Sequence, residues 1–119
     1  MAYKLGSVKH AKGFILNKLF EDERIGGRHL PIHLLQNGYP PKYRFLIGEA
    51  FQELKTDTPS LIHVENKRTG RDTSPHVCMV PSRVKKARGL INGYREAAKL
   101  PRYGQDMKTL LPVKRATKK

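Results

Sequence analysis

The sequence predicts an α+β chain in which three helical segments are followed by a β-hairpin, a fourth helix and a basic tail. Three observations predict it. Apolar residues recur at three- and four-residue steps over residues 7–20, 42–55 and 82–100. Polar and apolar residues alternate with period two over 61–65 and 76–80. Between the second and third helical segments, Asn37-Gly38-Tyr39-Pro40-Pro41 carries the residue types of a tight turn.

In the first segment Val8, Ala11, Ile15, Leu16, Leu19 and Phe20 form the apolar side, and Ser7 is placed to cap it by accepting from an exposed amide. The acidic run Glu21-Asp22-Glu23 stands where the helix dipole repels it, so the helix is expected to fray near residues 20–25 and the chain to turn at Gly26-Gly27. Pro31 suits the first turn of a second helix, about two turns long, with Ile32 and Leu35 on its buried side. The third helix, Lys42 to about Lys55, places Ile47, Ala50, Phe51 and Leu54 on one side to pack on the first helix. Opposite them lie Arg44, Gly48, Gln52 and Lys55, while Lys42 and Tyr43 stand at the helix N-terminus, whose amides favour phosphate.

After the break at 56–59, residues 61–65 and 76–80 read as strands, and 66–75, with Lys67, Arg68 and Arg71, reads as a basic loop between them. Ser82 and Pro101 bound the fourth helix, whose Val84, Ala87, Ile91, Tyr94 and Ala98 follow the spacing of a packing seam. That seam suits either a homodimer through residues 84–98 or docking on the chain's own domain. Gly89 and Gly93 weaken the helix by about 1 kcal/mol each relative to alanine. Residues 102–119 show no periodicity and are expected to be unstructured alone in water. The organisation predicted is a 1–81 domain, an 82–101 basic helix and a 102–119 basic tail.

Charge narrows the function. The chain has 119 residues, with 24 Lys and Arg against 10 Asp and Glu, a formal net charge of +14. Residues 1–81 hold 12 basic and 8 acidic residues (+4), whereas 82–119 hold 12 and 2 (+10). A polyanion attracts such a chain by releasing condensed counterions, so nucleic acid is the leading partner class and an anionic membrane the weaker one. Solubility alone needs a net charge nearer about 2–8. The basic residues Arg83, Lys85, Lys86, Arg88, Arg95 and Lys99 on the fourth helix, and Lys114, Arg115, Lys118 and Lys119 in the tail, read as phosphate contacts that fix position without reading sequence.

A single cysteine, Cys78, gives no internal disulfide or Cys-rich zinc site and points to a reducing interior. No apolar run approaches the roughly 18 residues of a membrane span, so the expectation is a cytoplasmic protein associated with the nucleoid or ribosome. His29 and His33 are four apart, but neither a cysteine cluster nor an HExxH motif accompanies them, and the sequence assigns no metal and no cofactor. Arg28 and His29 follow two glycines and suit a local hydrogen bond or phosphate contact. No phosphate-binding loop or paired carboxylates appear, so no catalytic residue is assigned. A histidine-assisted ribonuclease built on Arg28, His29 and His33 is the one enzymatic alternative.

The order of elements, the 37–41 turn and the basic hairpin resemble the winged helix-turn-helix superfamily over about residues 7–81. The run Ile25-Gly26-Gly27-Arg28-His29, followed by Asn37-Gly38-Tyr39-Pro40 and Pro41-Lys42-Tyr43-Arg44, is similar to a group of small archaeal winged-helix proteins of unassigned function. The resemblance implies a third helix that enters a DNA groove through Lys42, Tyr43, Arg44, Gly48 and Gln52, and a wing that meets the flanking backbone through Lys67, Arg68 and Arg71. Arg44 and Gln52 are of the types that pair bidentately with guanine and adenine. Glu49 and Glu53 leave that helix a net charge of only +1 against Lys42, Arg44 and Lys55, which argues against deep insertion. The function expected is therefore non-enzymatic binding of duplex DNA, as a transcriptional regulator or chromosomal protein. The alternative is an RNA-binding or ribosome-associated structural protein anchored by its basic tail.

Overall fold

A computed structural model describes residues 2–57, 60–69 and 72–111. Ser7 opens α1 (Val8–Glu21) as expected, its hydroxyl accepting from the His10 amide at 3.2 Å. The helix closes on itself at Glu23, which adopts φ 56° while the amides of Glu23 and Arg24 donate to the carbonyls of Phe20 and Leu19 at 3.1 and 2.8 Å. This left-handed closure begins the turn, and Gly26 and Gly27, at φ 62° and 97°, complete it as predicted. The helix ends at Glu21, within the expected 20–25 window, but Glu21 itself is held, because the Arg95 guanidinium donates to its carboxylate at 3.0 Å.

The predicted two-turn second helix is instead strand β1 (Leu30–Pro31) followed by one 3-10 turn over Ile32–Leu34. Pairing of Leu30 with Val77 and of Pro31 with His76 commits the segment's start to the sheet. Gly38, at φ 89°, then makes the turn in the left-handed conformation that the Asn-Gly pair predicts. Pro40-Pro41 opens a second 3-10 turn, Pro41–Tyr43, and α2 (Phe45–Thr56) follows three residues later than predicted. All four apolar residues assigned to its inner side, Ile47, Ala50, Phe51 and Leu54, are buried.

Strands β2 (Ile62–Thr69) and β3 (Asp72–Met79) complete an antiparallel sheet of order β1-β3-β2. The register runs unbroken from Ile62 opposite Met79 to Thr69 opposite Asp72. Lys67 and Arg68 are therefore strand residues, not members of a 66–75 loop, because regular pairing satisfies their backbone groups better than an open loop would. Leu30, Ile62, Val77 and Met79 bring the sheet's inner side onto the helical core.

The predicted fourth helix begins as two tight 3-10 turns, Pro81–Arg83 and Lys85–Ala87, before α3 (Arg88–Ala97). Ser82 caps nothing; Val80 holds that position and makes no side-chain cap bond. α3 ends as α1 does, with Lys99 at φ 59° and the Leu100 amide donating to the Arg95 carbonyl at 2.7 Å. Part of its seam lies against α1: Ala87 and Ile91 are fully buried within the chain, Val84 and Tyr94 are half-buried, and Ala98 is exposed. The helices meet at Gly13, where a Cβ would lie 2.6 Å from that of Tyr94 and closer still to the Leu90 carbonyl oxygen.

Residues 102–111, expected to belong to an unstructured tail, form a small hairpin of β4 (Arg102–Tyr103) and β5 (Leu110–Leu111). Polar anchors on α3 hold it: Asn92 accepts from the Tyr103 amide at 2.7 Å and donates to its carbonyl at 2.9 Å, and Arg88 donates to the same carbonyl at 3.0 Å. Asp106 closes the turn by accepting from the amides of Lys108 and Thr109, both at 2.9 Å; these bonds, that to Thr109 first, hold its carboxyl down to about 2. Such anchors leave no periodic trace in the sequence.

Beneath the 37–41 turn, Tyr39 is buried with its hydroxyl 2.7 Å from His10 Nδ1. Burial, followed by the charges of Tyr94 and Tyr43, pushes that hydroxyl up to about 12, so it keeps its proton and can donate to a neutral imidazole. Burial also lowers the His10 pKa from 6.5.

Two predictions follow from this packing. Gly13→Ala should destabilise the protein by about 1–3 kcal/mol through overpacking, while Gly89→Ala, whose Cβ meets nothing within 4 Å, should stabilise it by up to about 1 kcal/mol. Urea denaturation of both variants checks the contrast, and equal effects would refute the close approach at Gly13. For His10 the folded pKa lies below the unfolded one, so its contribution is present above 6.5 and is lost as pH falls through the folded value. Urea midpoints should accordingly drop on acidification below pH 6.5 with a shallower slope in His10→Gln, and identical slopes would exclude His10 as the source.

Candidate nucleic-acid interface

The exposed side of α2 and the β2–β3 hairpin enclose an open cleft of about 580 Å³. Its apolar floor comes from Ile32, Phe51, Val64 and Pro75, and its polar lining from Gly48, Gln52, Lys55 and Asn66. The sequence placed Gly48, Gln52 and Lys55 on one helix face, and the fold turns that face toward the hairpin. Gly48 is not required by packing, since a Cβ there would meet nothing within 4 Å. A mid-helix glycine costs about 0.5–1 kcal/mol relative to alanine, and what it supplies here is open backbone on the cleft wall.

At the start of α2, Lys42 and Arg44 are exposed, but they stand in and just after the 3-10 turn, ahead of the helix proper. Arg44 Nε donates to the Tyr39 carbonyl at 3.2 Å, which ties the guanidinium to the turn. Tyr43 is half-buried, its ring beside Gly6 and 5.7 Å from Lys42 Nζ. No side chain caps the helix at this end. Beside these residues Phe45 is 72% exposed and stacks on no other ring among the described residues. Its period matches the outer face, but an apolar residue carries no signal of exposure.

The acidic residues divide. Glu53 faces α1, where Lys12 Nζ lies 2.8 Å from its carboxylate and 3.7 Å from that of Asp57. Glu49 remains exposed. One of the two charges that argued against groove insertion is thus neutralised away from the cleft.

On the hairpin, the pleat sends alternate residues to opposite sides. Val64 and Asn66 line the cleft, and Arg68 continues on their side; His63, Glu65 and Lys67 occupy the other. Lys67 and Arg68 therefore cannot share one groove-facing surface. Arg71 lies outside the described residues, as do Lys114, Arg115, Lys118 and Lys119.

Beyond residue 81 the predicted phosphate contacts separate by burial. Lys85, Lys86 and Lys99 are exposed. Arg83 and Arg88 are half-buried and donate to the carbonyls of Ser60 and Tyr103 at 2.8 and 3.0 Å, so their first role is to hold the fold. Arg95 is buried: it donates to Asn17 at 2.9 Å, to Glu21 at 3.0 Å and to the Pro101 carbonyl, with its guanidinium 4.6 Å from the Tyr103 ring centroid. It is a structural cation, not a phosphate contact.

Arg28 is exposed, with the Glu23 carboxylate 3.9 Å away. His29 is not available to phosphate. Its ring is buried on the sheet, with Nδ1 3.0 Å from the Gly27 carbonyl and Nε2 facing Glu65 and Cys78. His33 is exposed on the first 3-10 turn, outside the group of metal-ligating side chains that the fold does gather: His29, His63 and Glu65.

Among the described residues no helix is long and apolar enough to cross a membrane. Compared with known proteins, the chain matches no family model, no curated protein and no solved structure.

Proposed function

We propose that this is a non-enzymatic nucleic-acid-binding protein of winged-helix design that takes duplex DNA between α2 and the β2–β3 hairpin, as a transcriptional regulator or chromosomal protein. The observation that carries this reading is the cleft: a helix face with an unneeded glycine at its centre, flanked by Gln52 and Lys55 and opposed by a strand bearing Asn66 and Arg68. The order α1, β1, α2, β2, β3, with the hairpin beside α2, is compatible with the winged-helix plan. Its +14 charge supplies the non-specific attraction that brings a polyanion to such a surface. Lys42, Arg44 and Arg68 then act as positioning contacts around a site where Gln52 reaches a base edge. Lys85 and Lys86, with the basic residues of the C-terminal tail, add affinity that falls with salt.

A second reading, RNA binding in the nucleoid- or ribosome-associated cytoplasm, is favoured by Phe45. A ring 72% exposed beside Lys42 and Arg44 suits stacking on an unpaired base, which single-stranded RNA offers and a closed duplex does not.

Gly48→Leu should fill the cleft, leave thermal stability unchanged or raised, and weaken duplex binding at every salt concentration. Retained affinity in a folded Gly48→Leu protein would remove the cleft from the interface. Competition between duplex DNA and structured RNA across salt decides between the partners. RNA winning throughout, together with a loss of about 1–3 kcal/mol of RNA binding in Phe45→Ala, would replace the duplex reading with the second.

A further inference from the structure

On the side of the sheet away from the cleft, strand pairing places side chains of metal-ligating type together. His63 pairs with Cys78 and Glu65 with His76, so all four share one side of β2 and β3. His29, which immediately precedes β1, adds its ring from the neighbouring strand end. One ligand atom from each of His29, His63 and Glu65 lies within 4.8 Å of the others. His29 Nε2 is at the centre: 3.4 Å from Glu65 Oε2 and 3.5 Å from Cys78 Sγ.

Those two distances are informative. Zinc–nitrogen and zinc–oxygen bonds of about 2.0–2.1 Å and a zinc–sulfur bond of about 2.3 Å set the ligand atoms of a tetrahedral site about 3.3–3.6 Å apart. With Nδ1 of His29 donating to the Gly27 carbonyl at 3.0 Å, the neutral ring turns its Nε2 lone pair toward a carboxylate oxygen. That lone pair can accept from the Cys78 thiol at 3.5 Å or, with the carboxylate and the thiolate, hold a cation between them. A backbone carbonyl on the second nitrogen is also the usual outer partner that orients a metal-bound histidine.

We propose that His29, His63 and Glu65 form a Zn²⁺ site, with Cys78, 3.5 Å from His29 Nε2 but outside that 4.8 Å group, drawn in as the fourth ligand when the ion binds, so that the site joins the loop entering β1 to both strands of the hairpin. Nitrogen, oxygen and thiolate donors together are a set that zinc accepts. Binding deprotonates the Cys78 thiol, its proton passing to solvent, and closes four bonds to the ion without change of oxidation state. His29 and Cys78 are buried, while His63 and Glu65 are exposed, so the ion enters from solvent and the two exposed ligands close over it. The site is fully ligated by protein and is structural: it fixes the base of the hairpin from the side opposite the proposed nucleic-acid cleft.

Metal-free full-length protein titrated with ZnCl₂ against a chromophoric chelator should bind one equivalent. Co²⁺ in place of zinc should give a near-ultraviolet thiolate-to-metal charge-transfer band that disappears in Cys78→Ser. His63→Ala and Glu65→Gln, both at exposed positions, should keep the fold and weaken zinc binding by more than the ~10–100-fold that losing an outer-shell partner costs. His33→Ala should bind as the parent does. No stoichiometric binding, no thiolate band, or affinity unchanged in both His63→Ala and Glu65→Gln would overturn the site. None of these readouts depends on nucleic acid.

Discussion

α1 is packed by α2, α3 and strand β3, and through those three elements it supports the rest of the fold. A helix on the surface needs only a stripe of apolar residues, but this one buries His10, Gly13, Phe14 and Asn17 as well as Ala11, Ile15, Leu16 and Leu19. Each polar member of that set has a partner: His10 meets Tyr39, and Asn17 meets Arg95 and Glu21. Burial of these groups without partners would cost several kcal/mol, so the bonds are conditions of the packing and not additions to it. The missing side chain at Gly13 sets how closely α3 can approach, and α3 in turn carries Asn92, Arg88 and Arg95, which hold the β4–β5 hairpin.

From that frame the sheet acquires two sides with different chemistry. Its inner side contributes Leu30, Ile62, Val77 and Met79 to the core, and farther along the hairpin the same side opens into the cleft beside α2. Its outer side carries His29, His63, Glu65, His76 and Cys78. A period of two separates them, so neighbouring residues of one strand serve opposite surfaces. A cation bound on the outer side would stiffen the hairpin at its base without obstructing the cleft.

Charge is distributed by burial as much as by sequence position. Of the arginines between residues 83 and 95, Arg83, Arg88 and Arg95 are bound to carbonyl or carboxylate oxygens, whereas Lys85 and Lys86 remain exposed. The planar guanidinium with its several donors can satisfy multiple acceptors inside a fold, and the compact ammonium stays in water. The basic character of this region is thus partly architectural, and the exposed part is carried by lysine.

The sequence by itself determined the helices and strands whose burial is periodic. Ile47, Ala50, Phe51 and Leu54 face the core as their spacing requires, Ser7 caps α1, and Gly38 makes the turn before α2. It also placed Gly48, Gln52 and Lys55 on one face, since a helix fixes that relation locally. Only the tertiary structure decided what that face looks onto, that Phe45 stays exposed, that residues 102–111 are anchored on α3, and that Arg95 is buried. It alone brought residues 29, 63, 65 and 78 together. Those outcomes depend on contacts between segments distant in the chain, which periodicity within a segment cannot encode.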